Sequence, residues 1–286
     1  MNTSLKLTKS EETQKIAAFT GEGAYHGSTK GNDSVPPIVD TVAEATPYTL
    51  QRYADKKIKE FGLFKAKFPN RYEVKSILPA PTQEEVKNDD VTFVWSPIEE
   101  AIREAGPLTK SVLLEMEKHL ERKKKFVYID SKIQYFEAGD LAVDSKLWHV
   151  DGTIAIRDQR ARDLGYNILH DMKARMTGFA DPPTYMAYQS SLHCATEFVV
   201  EPMEIYLPDC IPNFDLLDKT VTEAGPVVES QPQGSIVRFD GLSLHRAIPA
   251  IGNGWRLWVR CVETDREIKL NSSIINCYGT VFRKNQ

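Results

Sequence analysis

The chain predicts a mainly β protein with flanking helices, closed as a barrel or stacked as a sandwich. Beyond Lys125 the sequence breaks into short runs rich in β-branched and aromatic residues, Gly, Pro and Asp punctuate those runs, and amphipathic helical spacing is confined to the residues before them. With 286 residues, 41% hydrophobic and 27% charged, the chain can bury one substantial core. A single domain over residues 1–286 is therefore expected, with its β core at residues 126–264.

Residues 1 to about 45 are polar and rich in Thr, Ser, Gly and Glu, with Pro36-Pro37 near their end, so this segment is expected to be loosely ordered or wrapped on the surface. From Pro47 to about Phe68, the residues Leu50, Tyr53, Ile58, Phe61 and Phe64 recur at roughly helical spacing among lysines, which predicts an amphipathic helix. Helices are also expected after Ser96-Pro97 and after Pro107, the latter containing Leu113 to Leu120 and running into a Glu115 to Lys125 block. These should buttress a sheet. Strands are expected at Phe126 to Ile129, Ile133 to Phe136, Leu147 to Asp151, Tyr185 to Ser191, Thr196 to Val200, Ser235 to Phe239, Leu244 to Ala250 and Trp255 to Thr264. The charged interval from Arg157 to Arg175 reads as a helix-like insertion.

The net charge of −4 gives no global attraction to a polyanion, so a nucleic-acid partner would need a local basic surface. The run Arg122-Lys123-Lys124-Lys125 is better read as cations complementing a helix end. Cys194, Cys210, Cys261 and Cys277 are widely spaced, which predicts buried or free thiols in a reducing compartment. The N-terminus lacks an apolar segment of the secretory kind, and no apolar run is long enough to span a bilayer. A cytoplasmic location and no membrane partner are the expectation.

The chemistry sits in Leu147-Trp148-His149-Val150-Asp151-Gly152 and in a later strand-like run carrying His245. In an extended strand, alternate side chains share a face, so His149 and Asp151 can converge on one metal ion. Two imidazoles and one carboxylate can hold Fe(II) on one side and leave the opposite positions open. His119-Leu120-Glu121 has a similar pattern, but on a helix residues two apart diverge.

After His245 comes the turn-rich Ile251-Gly252-Asn253-Gly254, then Trp255 to Arg260, which predicts a hairpin with His245 opposite Arg260 and Pro249 opposite Arg256. His245, Ala247, Pro249, Arg256, Trp258 and Arg260 would then line one face, and Leu244, Ile248, Leu257 and Val259 the other. Two arginines beside a histidine on an interior face call for an internal anion, because an unpaired buried guanidinium is costly.

Together, Trp148-His149-Val150-Asp151-Gly152, the run Gly234 to Gly241 leading to His245-Arg246, and Gly254-Trp255-Arg256 resemble the Fe(II)- and 2-oxoglutarate-dependent dioxygenase superfamily. Gln134-Tyr135-Phe136-Glu137-Ala138-Gly139-Asp140 resembles the strand and turn that often precede its iron motif. The resemblance covers about Phe126 to Thr264. It implies a double-stranded β-helix (jelly-roll, cupin-like) barrel, Fe(II) held by His149, Asp151 and His245, and 2-oxoglutarate as cosubstrate with O2. It implies Arg256, with Tyr135, as cosubstrate-binding residues, and Arg260 as a second arginine near substrate or cosubstrate carboxylates. Trp148, beside an iron ligand, is a candidate substrate contact. The implied reaction releases succinate and CO2 while hydroxylating a C–H bond; desaturation, ring formation and oxidative demethylation share its beginning.

For the substrate, the acidic chain and the second arginine favour a small polar metabolite such as an amino acid. The alternatives are a modifier of nucleic acid or a protein side chain, docking through Lys56, Lys57 and Lys59, and a barrel that binds metal or ligand without turnover. The structural alternative for His149 is a solvated strand-end histidine with Asp151-Gly152 as a turn, and for Arg256 an ordinary ion pair. Trp148, Trp255 and Trp258 also read as packing residues, and His26, His170 and His193 as loop or packing histidines.

Overall fold

The computed structural model describes residues 62–143, 146–151, 183–208 and 214–265, together with residues 56, 59, 267, 268, 274, 275, 281 and 282. The expectations for residues 1–45, for Arg157 to Arg175, and for His26, His170, Lys57, Cys210 and Cys277 lie outside the described residues.

Antiparallel sheet dominates. The strands are β1 (Leu63–Phe68), β2 (Tyr72–Ile77), β3 (Thr92–Phe93), β4 (Ser96–Pro97), β5 (Phe126–Phe136), β6 (Thr184–Gln189), β7 (Thr196–Val199), β8 (Met203–Pro208), β9 (Val228–Ser230), β10 (Ser235–Asp240), β11 (His245–Ala247), β12 (Gly254–Thr264) and β13 (Ile274–Ile275). Among them run α1 (Gln83–Asn88), α2 (Ile98–Glu104), α3 (Pro107–Lys118) and α4 (Phe214–Ala224). No helix among the described residues is long and apolar enough to cross a membrane.

A six-stranded sheet has the order β2-β10-β6-β12-β5-β4, and a three-stranded sheet the order β11-β7-β9. Alternation along each strand of the large sheet separates two environments. Leu257, Val259 and Cys261 of β12, Ile129 and Ile133 of β5 and Met186 and Tyr188 of β6 pack on Val112, Leu113 and Met116 of α3. On the other face, Tyr185, Val237, Phe239 and Val262 meet Phe198 of the small sheet, with the Phe198 and Phe239 rings 5.1 Å apart. The small sheet's outer side is covered in turn, where Val199, Leu244 and Trp148 pack with Leu217 and Val221 of α4 and with Phe68 and Ile205 of the β1–β8 pair.

Helix α3 shows how the sequence fixes this scaffold. Thr109, Val112, Leu113 and Met116 give it one buried stripe, and Pro107 opens it. The carboxylate of buried Asp89 accepts from the amides of Leu108 (3.0 Å) and Thr109 (2.9 Å) and also bonds the Thr109 hydroxyl. That satisfies donors the first turn cannot pair itself. Asp89→Ala is expected to lower the unfolding free energy by about 2 kcal/mol, as read by urea titration; an unchanged midpoint would show the cap is dispensable.

Four expectations are corrected. The helix predicted to Phe68 cannot include Leu63–Phe68, which is β1 paired with β8. Gly62 takes a left-handed φ of +78°, which interrupts any helix, and beyond it exposed Lys65 and Lys67 alternate with buried Ala66 and Phe68 in period two. The helical block expected to Lys125 ends at Lys118, so His119 and Glu121 lie beyond it, and Arg122, Lys123 and Lys124 form ion pairs with Glu117, Glu121 and Asp265. The predicted hairpin of His245 with Arg260 is not formed: β11 pairs with β7, while β12 lies between β5 and β6. Phe126 to Phe136, read as two strands, is one of eleven residues.

Candidate metal centre

Each histidine of the candidate centre is fixed by its own backbone. His149 and His245 face each other across an isolated antiparallel bridge, with reciprocal N–H to carbonyl bonds of 3.0 Å and ring centroids 4.4 Å apart. The Nδ1 of His149 lies 2.9 Å from the Leu147 carbonyl, and the Nδ1 of His245 lies 2.9 Å from the Ser243 carbonyl. A carbonyl only accepts, so each Nδ1 carries the proton and each Nε2 presents a lone pair, the tautomer a metal ligand needs. Asp151, one alternation beyond His149, places Oδ1 3.8 Å from the Nε2 of His245. One donor atom from each of His149, Asp151 and His245 lies within 4.8 Å of the others.

Charge in the site suits a cation. Burial pushes the His245 imidazole down to about 4, with His149 adding to the effect, so the ring is neutral at ordinary pH. Burial alone would raise the Asp151 carboxyl, but the opposing interactions, chief among them the charge of Arg260 together with its hydrogen bond, hold the group below the usual carboxylate range. Two imidazole nitrogens with one carboxylate oxygen are the donor set that fits Fe(II) and comparable divalent ions.

The large sheet supplies the facing wall. Arg256, Trp258 and Arg260 of β12 alternate with the core-packed Leu257 and Val259, so the face assignment for β12 matches the expectation although the hairpin does not. Directly across on β5, Gln134 pairs with Arg256, Lys132 with Trp258 and Asp130 with Arg260. Arg256 is 3% exposed and donates to the Cys194 carbonyl and to Gln134 Oε1 (3.2 Å), with its guanidinium carbon 5.0 Å from the Phe136 ring centroid. Its Nε has no hydrogen-bond partner, and no carboxylate among the described residues pairs with it. Arg260 is engaged by Asp151 and Asp130.

The other two candidates fall elsewhere. Tyr135 points to the opposite face of β5 from Gln134, is 41% exposed and meets Trp255 edge-on at 5.3 Å. Trp148 is buried in the outer cluster with Val150 and Leu244, under the Arg246 guanidinium at 4.4 Å, because alternation turns it away from His149 and Asp151. Asp130 and Lys132, and Gln134 as the partner of Arg256, join this face without having been singled out by the sequence motifs. Their signal was polar residues in period two along one strand, opposite apolar Ile129 and Ile133.

Lys132 is expected to report its surroundings through stability. Burial, then the charges of Arg260 and Arg256, push its ammonium down to about 7. An unfolded lysine stays protonated to about 10.4, so between those values the unfolded state holds the extra proton and stability rises with pH. Below pH 7 the cost of the buried charge is fully present. Lys132→Met should therefore stabilise the protein more at pH 6 than at pH 9 in urea titrations, and the reverse order would contradict the buried-charge account.

No family model matches the sequence, and no curated protein matches it. Among solved structures, the chain is similar to the crystal structure of HygX from Streptomyces hygroscopicus with iron bound. The sequence identity is 11% and the TM-score 0.29, over 74% of this chain and 86% of that one. A likeness at that score carries no argument about chemistry, which rests here on the residues alone.

Proposed function

We propose that the chain is a single-domain Fe(II)- and 2-oxoglutarate-dependent oxygenase that hydroxylates a C–H bond of a small polar metabolite. The observation that carries this reading is a His149, Asp151 and His245 donor set whose carboxylate is bonded by Arg260 of β12, on the same strand face as buried Arg256, which has no carboxylate partner among the described residues. The antiparallel strand order, with His245 on the small sheet, His149 bridged to it and Arg256 on the large sheet, supports a double-stranded β-helix built from residues 126–264.

In this reading, His149, Asp151 and His245 hold Fe(II), which when bound activates O2 for oxidation of an unactivated C–H bond. The protein's own groups do the rest. The carbonyls of Leu147 and Ser243 keep both imidazoles in the ligating tautomer. Arg256 offers its guanidinium to the distal carboxylate of 2-oxoglutarate in surroundings that exclude water, with Phe136 beneath it. Phe198 and Phe239, with ring centroids 5.6 Å and 5.4 Å from that of His245, wall the centre with apolar surface.

The test is turnover of 2-oxoglutarate to succinate under air with added Fe(II), run against a panel of amino acids, other polar metabolites and oligonucleotides. Succinate formation stimulated by a small polar compound supports the reading. Absence of both succinate formation and 2-oxoglutarate binding by the iron-loaded protein would sink it, and stimulation by an oligonucleotide would move the substrate to the macromolecular class.

A further inference from the structure

We infer that Arg260 is a positioning residue for the metal-ligating carboxylate, locked by Asp130, rather than a group that receives substrate. The inference rests on the metal centre proposed above and assigns its outer support.

The guanidinium of Arg260 is enclosed on all the sides the structure describes. Its Nη1 donates to Asp151 Oδ2 at 2.9 Å, and its Nη2 and Nε donate to Asp130 Oδ2 at 2.8 and 3.3 Å. Three rings crowd its charged carbon, with centroid distances of 5.4 Å to Trp258, 5.6 Å to Tyr185 and 5.8 Å to Trp95. A substrate anion would have to break these bonds in a site where Arg260 is only 6% exposed.

Asp130 is itself anchored. It faces Arg260 directly in the β5–β12 register, and its Oδ1 accepts the Trp95 amide at 2.8 Å. Trp95 supplies that amide from φ +49°, a left-handed conformation that costs a bulky residue energy and persists only where the surroundings dictate it. The order of support thus runs from a strained tryptophan to Asp130, to Arg260, to Asp151. With Oδ2 held by Arg260, Asp151 turns Oδ1 toward His245 Nε2 and is set to bind a metal through one oxygen. A buried and a part-buried carboxylate sharing one buried guanidinium are a poor stabilising device by themselves, since apolar residues of similar volume often serve stability better. Orientation of a ligand accounts for the arrangement, as partners of metal ligands do in general.

The experiment titrates Co(II) into the 286-residue chain and into Arg260→Gln, Arg260→Lys and Asp130→Asn. Visible d–d absorption serves as the readout of affinity and coordination, and circular dichroism as the check of fold. Arg260→Gln is expected to weaken Co(II) by about 10- to 100-fold and to change the absorption envelope as Asp151 loses its fixed orientation, with Arg260→Lys recovering part of both. Asp130→Asn, which touches no ligand, should shift both in the same direction. Should Arg260→Gln not fold, the other two variants decide the matter. Wild-type affinity and spectrum in folded variants would overturn the inference while leaving the metal centre standing. Failure of the parent protein to bind Co(II) would remove the centre and the inference together.

Discussion

His149→Ala is expected to lower Co(II) and Fe(II) affinity by more than about 100-fold, beyond what groups that only touch ligands contribute, and to abolish succinate formation. The ring is half-exposed at an isolated bridge, so its removal leaves the apolar clusters intact and the melting temperature of the metal-free protein near that of the parent. Asp151→Ala is a poorer test because it also strips Arg260 of one of its two carboxylates, which disturbs the buried guanidinium as well as the metal site. Asp151→Asn keeps the shape and a hydrogen-bond acceptor for Arg260. It should lose metal while remaining folded. Metal-dependent turnover surviving in His149→Ala would exclude the triad as the centre.

Arg256→Leu has a double signature. The affinity for 2-oxoglutarate should fall roughly 100-fold, corresponding to about 3 kcal/mol for a desolvated charge-assisted pair. Stability of the ligand-free protein should change by less than about 1 kcal/mol. The two effects separate because Arg256 has no carboxylate of the described protein to satisfy it: burial already pushes its guanidinium below the ordinary range, and leucine relieves that cost. Loss of donors to Gln134 and the Cys194 carbonyl offsets the relief. Arg256→Lys should fall between, since an ammonium keeps the charge but not the planar fork. Wild-type 2-oxoglutarate demand in Arg256→Leu, measured by isothermal titration or by the concentration giving half-maximal succinate formation, would move the cosubstrate anchor elsewhere.

The parts of this molecule legible in its sequence are those where local chemistry and strand period agree. The alternation Arg256, Trp258, Arg260 against Leu257, Val259, Cys261 specifies which face is polar, whatever β12 pairs with. His149 and Asp151 converge with His245 as expected, but Leu147 to Asp151, read as a strand, forms only the isolated bridge at His149. Pairing partners were not legible: Ile251-Gly252-Asn253-Gly254 reads as a hairpin loop, yet it carries the chain from the small sheet to the large one. A turn signal fixes reversal and not neighbour. His245 therefore meets the β12 face from the opposing sheet and not from an adjacent strand. At Leu63 to Phe68, spacing shared by helix and strand over a few residues misled, and Gly62 was the deciding residue.

The middle of the six-stranded sheet is filled by its latest member. β12 lies between β5 and β6, yet it follows both in the chain by a long interval. As the polypeptide leaves the ribosome, the facing edges of β5 and β6 stand open until Gly254–Thr264 has emerged. Open edges are templates for wrong pairing, and distant pairing is slow. Arg256 and Arg260 arrive with that strand, so nascent chains lack both until the gap closes. Yield in a heterologous host should accordingly depend on chaperone supply and low growth temperature more than the finished protein's stability would suggest.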